Sequence, residues 1–123
     1  MAFCFFLGLT TCPAWAGWVK VGVTEDNESE VFVDPVTVQK DRHFRKVWEL
    51  VDHKQSKATG EMSAQPLMEY DCKEGLQRRL TLTTYTEAKG RGNVLLVSLD
   101  ARDWGAIAPR SAAESAYKIV CAN

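Results

Sequence analysis

Four cysteines, Cys4, Cys12, Cys72 and Cys121, and two histidines, His43 and His53, are the residues of this chain with the widest chemistry open to them. Thiolates and imidazoles hold zinc when they recur at short spacings such as C-x-x-C. No such pair occurs, and neither histidine has a ligand-like spacing to a cysteine. His43 and His53 flank one predicted strand, on the same face but too far apart to act together. Asp71 beside Cys72, and Asp100 with Asp103, are carboxylates suited to acid and base work, but turns explain aspartates equally well. There is no G-x-S-x-G and no H-E-x-x-H, and Gly90-Arg91-Gly92 is too short to cradle a phosphate. The chain reads as non-catalytic, with no cofactor and no metal site.

Disulfide chemistry remains, and it depends on the N-terminus. Ala2-Phe3-Cys4-Phe5-Phe6-Leu7-Gly8-Leu9 is an apolar run, broken by Pro13 before Ala14-Trp15-Ala16 and Gly17. That order is an h-region followed by an A-x-A processing site, so residues 1–16 read as a signal peptide cut between Ala16 and Gly17. The segment lacks the lysine or arginine such a leader normally carries. A buried strand or a membrane anchor are the competing readings, but a spanning helix needs about 20 apolar residues. Leu9-Thr10-Thr11-Cys12 offers a second cut, after which an acylated Cys12 would tether the protein. Thr11 suits that cut poorly, so a tether is expected only if Cys12 is the processed residue.

A cut after Ala16 discards Cys4 and Cys12 and leaves Cys72 and Cys121 in a compartment where a disulfide persists. Two cysteines allow one pairing. It would close a loop of about 50 residues, worth on the order of 4 kcal/mol in the chain-entropy model. A pair of buried free thiols is the alternative. Residues 17–123 suffice for one compact domain, small enough for such a bridge to matter.

These residues must be positioned by a chain that is nearly neutral, with 15 Lys plus Arg against 16 Asp plus Glu, so no general attraction to nucleic acid follows. Glu25-Asp26-Asn27-Glu28-Ser29-Glu30 is an acidic turn, and its Asn27-Glu28-Ser29 matches a glycosylation sequon by chance. Lys40-Asp41-Arg42-His43-Phe44-Arg45-Lys46 is a basic one. Lys40, Arg42, Arg45 and Lys46 are therefore either a solvated hairpin tip or a binding patch.

Period-two alternation runs through most of the chain. Val19, Val21 and Val23 mark a strand over 18–23, and Val31 and Val33 another that Asp34-Pro35 ends. In the strand 44–51, Phe44, Trp48 and Leu50 point one way and Arg45, Val47, Glu49 and Val51 the other. Pro66 gives the strand 62–71 an edge or a bulge near its middle. In 77–86, Leu80 and Leu82 share one face and Arg79, Thr81 and Thr83 the other. Residues 94–99 are apolar at nearly every position, which predicts a central strand covered on both faces. Ser111-Ala112-Ala113-Glu114 then opens a helix with a capping box, and Ala116, Ile119 and Val120 carry it to Cys121. The expected architecture is α+β: an antiparallel sheet of about six strands with one C-terminal helix packed on it. Trp18, Trp48 and Trp104 are expected in the core.

The order of Trp18, Asp34-Pro35, Val47-Trp48, Glu69-Tyr70-Asp71-Cys72, Tyr85-Thr86, Gly92-Asn93-Val94, Trp104, Pro109 with Ser111, and Val120-Cys121 resembles the surface-adhesin protein E family of Gram-negative bacteria. The resemblance spans the chain from Gly17 onward. It implies a six-stranded antiparallel sheet, a C-terminal helix and a disulfide between the matching Cys72 and Cys121. It also implies an exported protein, in the periplasm or on the outer cell surface, that binds host matrix or plasma proteins such as laminin and vitronectin. A periplasmic protein with a structural or stress-related role is the alternative on the same scaffold. Small-molecule cofactors and nucleic acid are not expected partners, and the oligomeric state is left open.

Overall fold

The structure is a computed structural model describing residues 17–122. The cleavage site at Ala14 and Ala16 and the alternative cut at Cys12 lie outside the described residues, while Gly17 is the first of them. Eight strands form one antiparallel sheet: β1 (Val19–Val23), β2 (Ser29–Val33), β3 (Gln39–Asp41), β4 (Phe44–His53), β5 (Ser63–Asp71), β6 (Leu76–Glu87), β7 (Arg91–Ser98) and β8 (Gly105–Ala106). The path is β1-β2-β4-β5-β6-β7. The short β3 pairs with the start of β4, and β8 with the start of β6. Among the described residues there is one α-helix, α1 (Ala112–Val120), which follows the last strand.

The helix lies across one end of one face. Val33, Val47 and Tyr70 from three adjacent strands pack against Ala116 and Val120, with Val21, Met68 and Tyr117 around them. Close approach rests on small residues: a Cβ on Gly22, whose φ is +153°, would stand 3.2 Å from the Cβ of Ala112. Ser111 caps the helix by accepting from the amide of Glu114 at 3.1 Å. The Glu114 carboxylate reaches back to the amide of Arg110, one residue beyond the partner a capping box predicts. At the other end Cys121 is joined to Cys72, which directly follows β5, and the Tyr117 hydroxyl donates to the Cys72 carbonyl at 3.1 Å.

A second, smaller core lies on the helix-free face. Phe32 and Leu50 are buried there under the turn Ala88–Gly90. The Lys89 amide donates to Asp52 at 2.8 Å and the Gly90 amide to the Ser63 hydroxyl at 2.8 Å, which anchors the turn.

Three expectations are corrected, and the bulge expected near Pro66 is found. The apolar segment 94–99 is the outermost strand and its exit, not a central one: β7 pairs only with β6, and Val94 to Val97 are exposed. Pro66 lies on β5, between β4 and β6, and of the edge or bulge expected there it is the bulge that is found. Its pairing with β4 lapses between Leu67 and Ala64, where the proline sits, and the pairing with β6 bulges next to it at Leu67–Met68. That bulge leaves Leu80 unpaired, so Arg79 comes opposite Met68 and shares a face with Leu82 instead of opposing it. In β1 an extra residue at Val21 brings Gly22 opposite Val31, which breaks the expected valine alternation and leaves Val19 and Val23 exposed.

Candidate functional site

The β3–β4 hairpin turns at Arg42, whose φ is +61°, and disperses the predicted basic patch. Arg45 belongs to β4 and is buried, its guanidinium donating to the carbonyls of Arg42 at 2.7 Å and Phe44 at 2.9 Å. It holds the hairpin tip rather than facing a partner. Lys40 sits opposite Arg45 and Lys46 opposite Gln39, so the two exposed lysines occupy opposite faces, with the exposed Arg42 at the tip between them.

Lys46 falls into an aromatic surface on the helix-free face. Cross-strand partners share a face, and the pairs Phe44 with Asp71, Lys46 with Glu69, Trp48 with Leu67 and Glu69 with Arg78 assemble one row beside the next. The rings of Phe44 and Trp104 lie 5.8 Å apart, and the Arg78 guanidinium stands 4.5 Å over Trp104 while its Nε donates to Glu69 at 2.8 Å. His43 stacks on Phe44 at 4.2 Å. Trp48 is 36% exposed, not a core residue as its type suggested, and Trp104 is half-buried. Trp and Arg are among the residues that dominate protein–protein binding energy. Alternation did place Phe44 and Trp48 on one face. What it lacked was the knowledge that the helix covers the other.

The opposite face holds the most perturbed acid. Glu49 is buried opposite Val33 and accepts a hydrogen bond from the Tyr70 hydroxyl. Burial pushes its carboxyl up to about 7, against the partial relief of that hydrogen bond, and the same burial raises Tyr70 beyond its ordinary range. Glu49 lines a cleft of about 390 Å³ between α1 and the sheet, shared with Val23, Val31, Val51 and Ala112. Thr24 and Ser111 also line this cleft, the first donating its hydroxyl to Asp26 and the second capping α1.

One arrangement missed in the sequence has the composition of a hydrolase triad. The Ser29 hydroxyl lies 2.6 Å from Nδ1 of His53, whose Nε2 lies 2.6 Å from Glu61. Ser29 and His53 are cross-strand partners, and Ser29 is 2% exposed, so its oxygen is closed to a substrate carbonyl. The chain of contacts ties the connection between β4 and β5 to the sheet. His43, by contrast, faces Asp71 at 3.6 Å, well separated from His53. Asp71 itself accepts from the amides of Lys73 and Glu74, each at 3.0 Å, which is turn chemistry. Among the described residues no group of three or more His, Cys, Asp or Glu side chains is placed to hold a metal ion. No helix of the described chain is long and apolar enough to cross a membrane.

The described residues thus form a sheet with one disulfide-tethered helix on one face and aromatic side chains on the other. The family model described as Surface-adhesin protein E matches residues 18–122, and the chain belongs to that family. Solved structures agree in fold. Crystal form II of Haemophilus influenzae protein E superposes with a TM-score of 0.69 at 14% identity, covering 90% of this chain and 91% of that one. Protein E from non-typeable Haemophilus influenzae gives 0.65 at 14% identity, over 90% of this chain and 79% of the other. Comparison of the sequence with curated proteins finds no match.

Proposed function

We propose that this chain is an exported envelope protein that works as a non-catalytic binding module for host matrix or plasma proteins. The observation that carries this reading is the match to a surface-adhesin family over nearly all of the described chain. Contact is assigned to the hairpin tip and the helix-free face, where Arg42, Lys46 and Trp48 are exposed together. Lys40 adds charge from the other side of the same hairpin.

A second reading, a periplasmic protein without adhesin activity, is favoured by Ala14-Trp15-Ala16 as a better processing site than Leu9-Thr10-Thr11-Cys12. The two differ in where the protein sits. Fractionation and protease treatment of intact cells separate them: an adhesin is degraded by external protease and sediments with the outer membrane. Recovery only in osmotic-shock fluid, protected from protease until the envelope is opened, would overturn the adhesin reading.

A further inference from the structure

The cleft between α1 and the sheet joins a buried acid to apolar walls and takes no part in the surface contacts proposed above. Its volume of about 390 Å³ falls within the range of small-molecule sites. Val23, Val31, Val51, Ala106, Ala108 and Ala112 line it, so most of what a ligand touches there is apolar. The polar side chains differ in how they are occupied. Thr24 donates to Asp26, and Ser111 donates to the Ala108 carbonyl at 2.6 Å while accepting from the amide of Glu114. Glu49, only 6% exposed, is half used: Oε2 accepts from Tyr70, and Oε1 has no hydrogen-bond partner among the described residues. Oε1 is not sealed from solvent and so opens on the cleft that Glu49 lines. An acceptor left unpaired at a buried position is costly, and a donor brought by a ligand removes that cost.

Charge selects the donor. Among the described residues the ionisable side chains lining the cleft are Glu49 and the exposed Glu25, with no lysine, arginine or histidine beside them. An ammonium group donating to Oε1 makes a charge-assisted hydrogen bond where water is scarce, and Glu25 adds attraction of the same sign. The first turn of α1 also faces the cleft through Ala112 and Ala113. Its amide end carries about half a unit of positive charge, against a full negative charge on each carboxylate, so the balance still favours a cation. We propose that this cleft binds a small organic amine as its ammonium ion, the nitrogen held by Oε1 of Glu49 and the apolar body by the surrounding valines and alanines.

Methyl-detected NMR titration tests this on the protein expressed with its own leader and purified without reductant. The probes have similar shapes and different charges: 2-phenylethylammonium, 2-phenylethanol and 3-phenylpropionate. At about pH 8, where Glu49 is ionised, the ammonium is expected to shift the methyls of Val31, Val51 and Ala112 and to bind about ten-fold or more tightly than the alcohol. Glu49→Gln is expected to bring the ammonium down to the affinity of the alcohol. Ala108→Trp fills the cleft from an exposed position and is expected to weaken both probes while Glu49 and Tyr70 stay in place. It keeps the test decisive should circular dichroism show that Glu49→Gln has not folded. No binding by the ammonium, an alcohol that binds as tightly, or a preference for 3-phenylpropionate would each overturn the proposal. So would methyl shifts confined to other parts of the molecule, a folded Glu49→Gln that still prefers the ammonium, or an Ala108→Trp variant that binds like wild type.

Discussion

Glu49 places an ionisable group at a buried position. Its cross-strand neighbour is Val33, its hydrogen-bond partner is the buried Tyr70, and desolvation moves its carboxyl from 4.5 to about 7. The folded state therefore holds the proton more tightly than the unfolded chain does. Stability from this residue is greatest below the unfolded value, falls as pH rises from 4.5 toward 7, and stays at the lower level above that. Glu49→Gln keeps an acceptor for Tyr70 and removes the charge, so the variant is expected to overtake wild type as pH rises. The gain by about pH 8 is on the order of 3 kcal/mol. Urea unfolding of both proteins across that window measures the difference; one that does not vary with pH would mean Glu49 titrates normally.

Other residues show how local signals divide between structure and function. Arg45 looked like part of a basic patch, yet strand alternation turns it inward, where it holds the carbonyls of Arg42 and Phe44. The triplet Ser29, His53 and Glu61 could not be seen in the sequence because its members come together only through the β2–β4 register and a loop contact.

At the scale of elements, the helix was legible because its signals are local: the Ser111 cap, the alanine face and Cys121 at its end all act within a few residues. Most strands were legible for the same reason, each having one buried face and a clear period of two. Strand β7 was not. Apolar residues on both faces describe a strand covered within its own sheet, and equally an open edge strand, and no local pattern separates the two. The bulge at Val21 was likewise invisible, since an extra residue shows only against the register of a partner strand, whereas Pro66 signalled the bulge beside it.

The helix itself buries only Ala116 and Val120, so the Cys72–Cys121 bond has a large share in keeping it docked. Cys72→Ser is expected to cost on the order of 4 kcal/mol and to lower the thermal midpoint, with reductant moving wild type toward the variant. An unchanged midpoint in both comparisons would mean the pairing contributes nothing to stability.

The whole molecule is a sheet used unequally on its two sides. One face is spent on the helix and its disulfide, the other carries Trp48, Phe44, Trp104, Arg78 and Lys46 toward solvent, and β7 leaves one edge open. Ser29, His53 and Glu49 are all buried. This division was only partly legible, because the face pattern of β4 was visible while the choice of which face the helix covers is a tertiary fact. Biolayer interferometry with immobilised vitronectin and laminin tests the central claim most directly, comparing wild type with the double variant Lys46→Ala/Trp48→Ala. The account predicts saturable binding to at least one of them, weakened about ten-fold or more by the double variant with its thermal midpoint unchanged. Wild type that binds neither protein, or a double variant that binds as well as wild type, would contradict it.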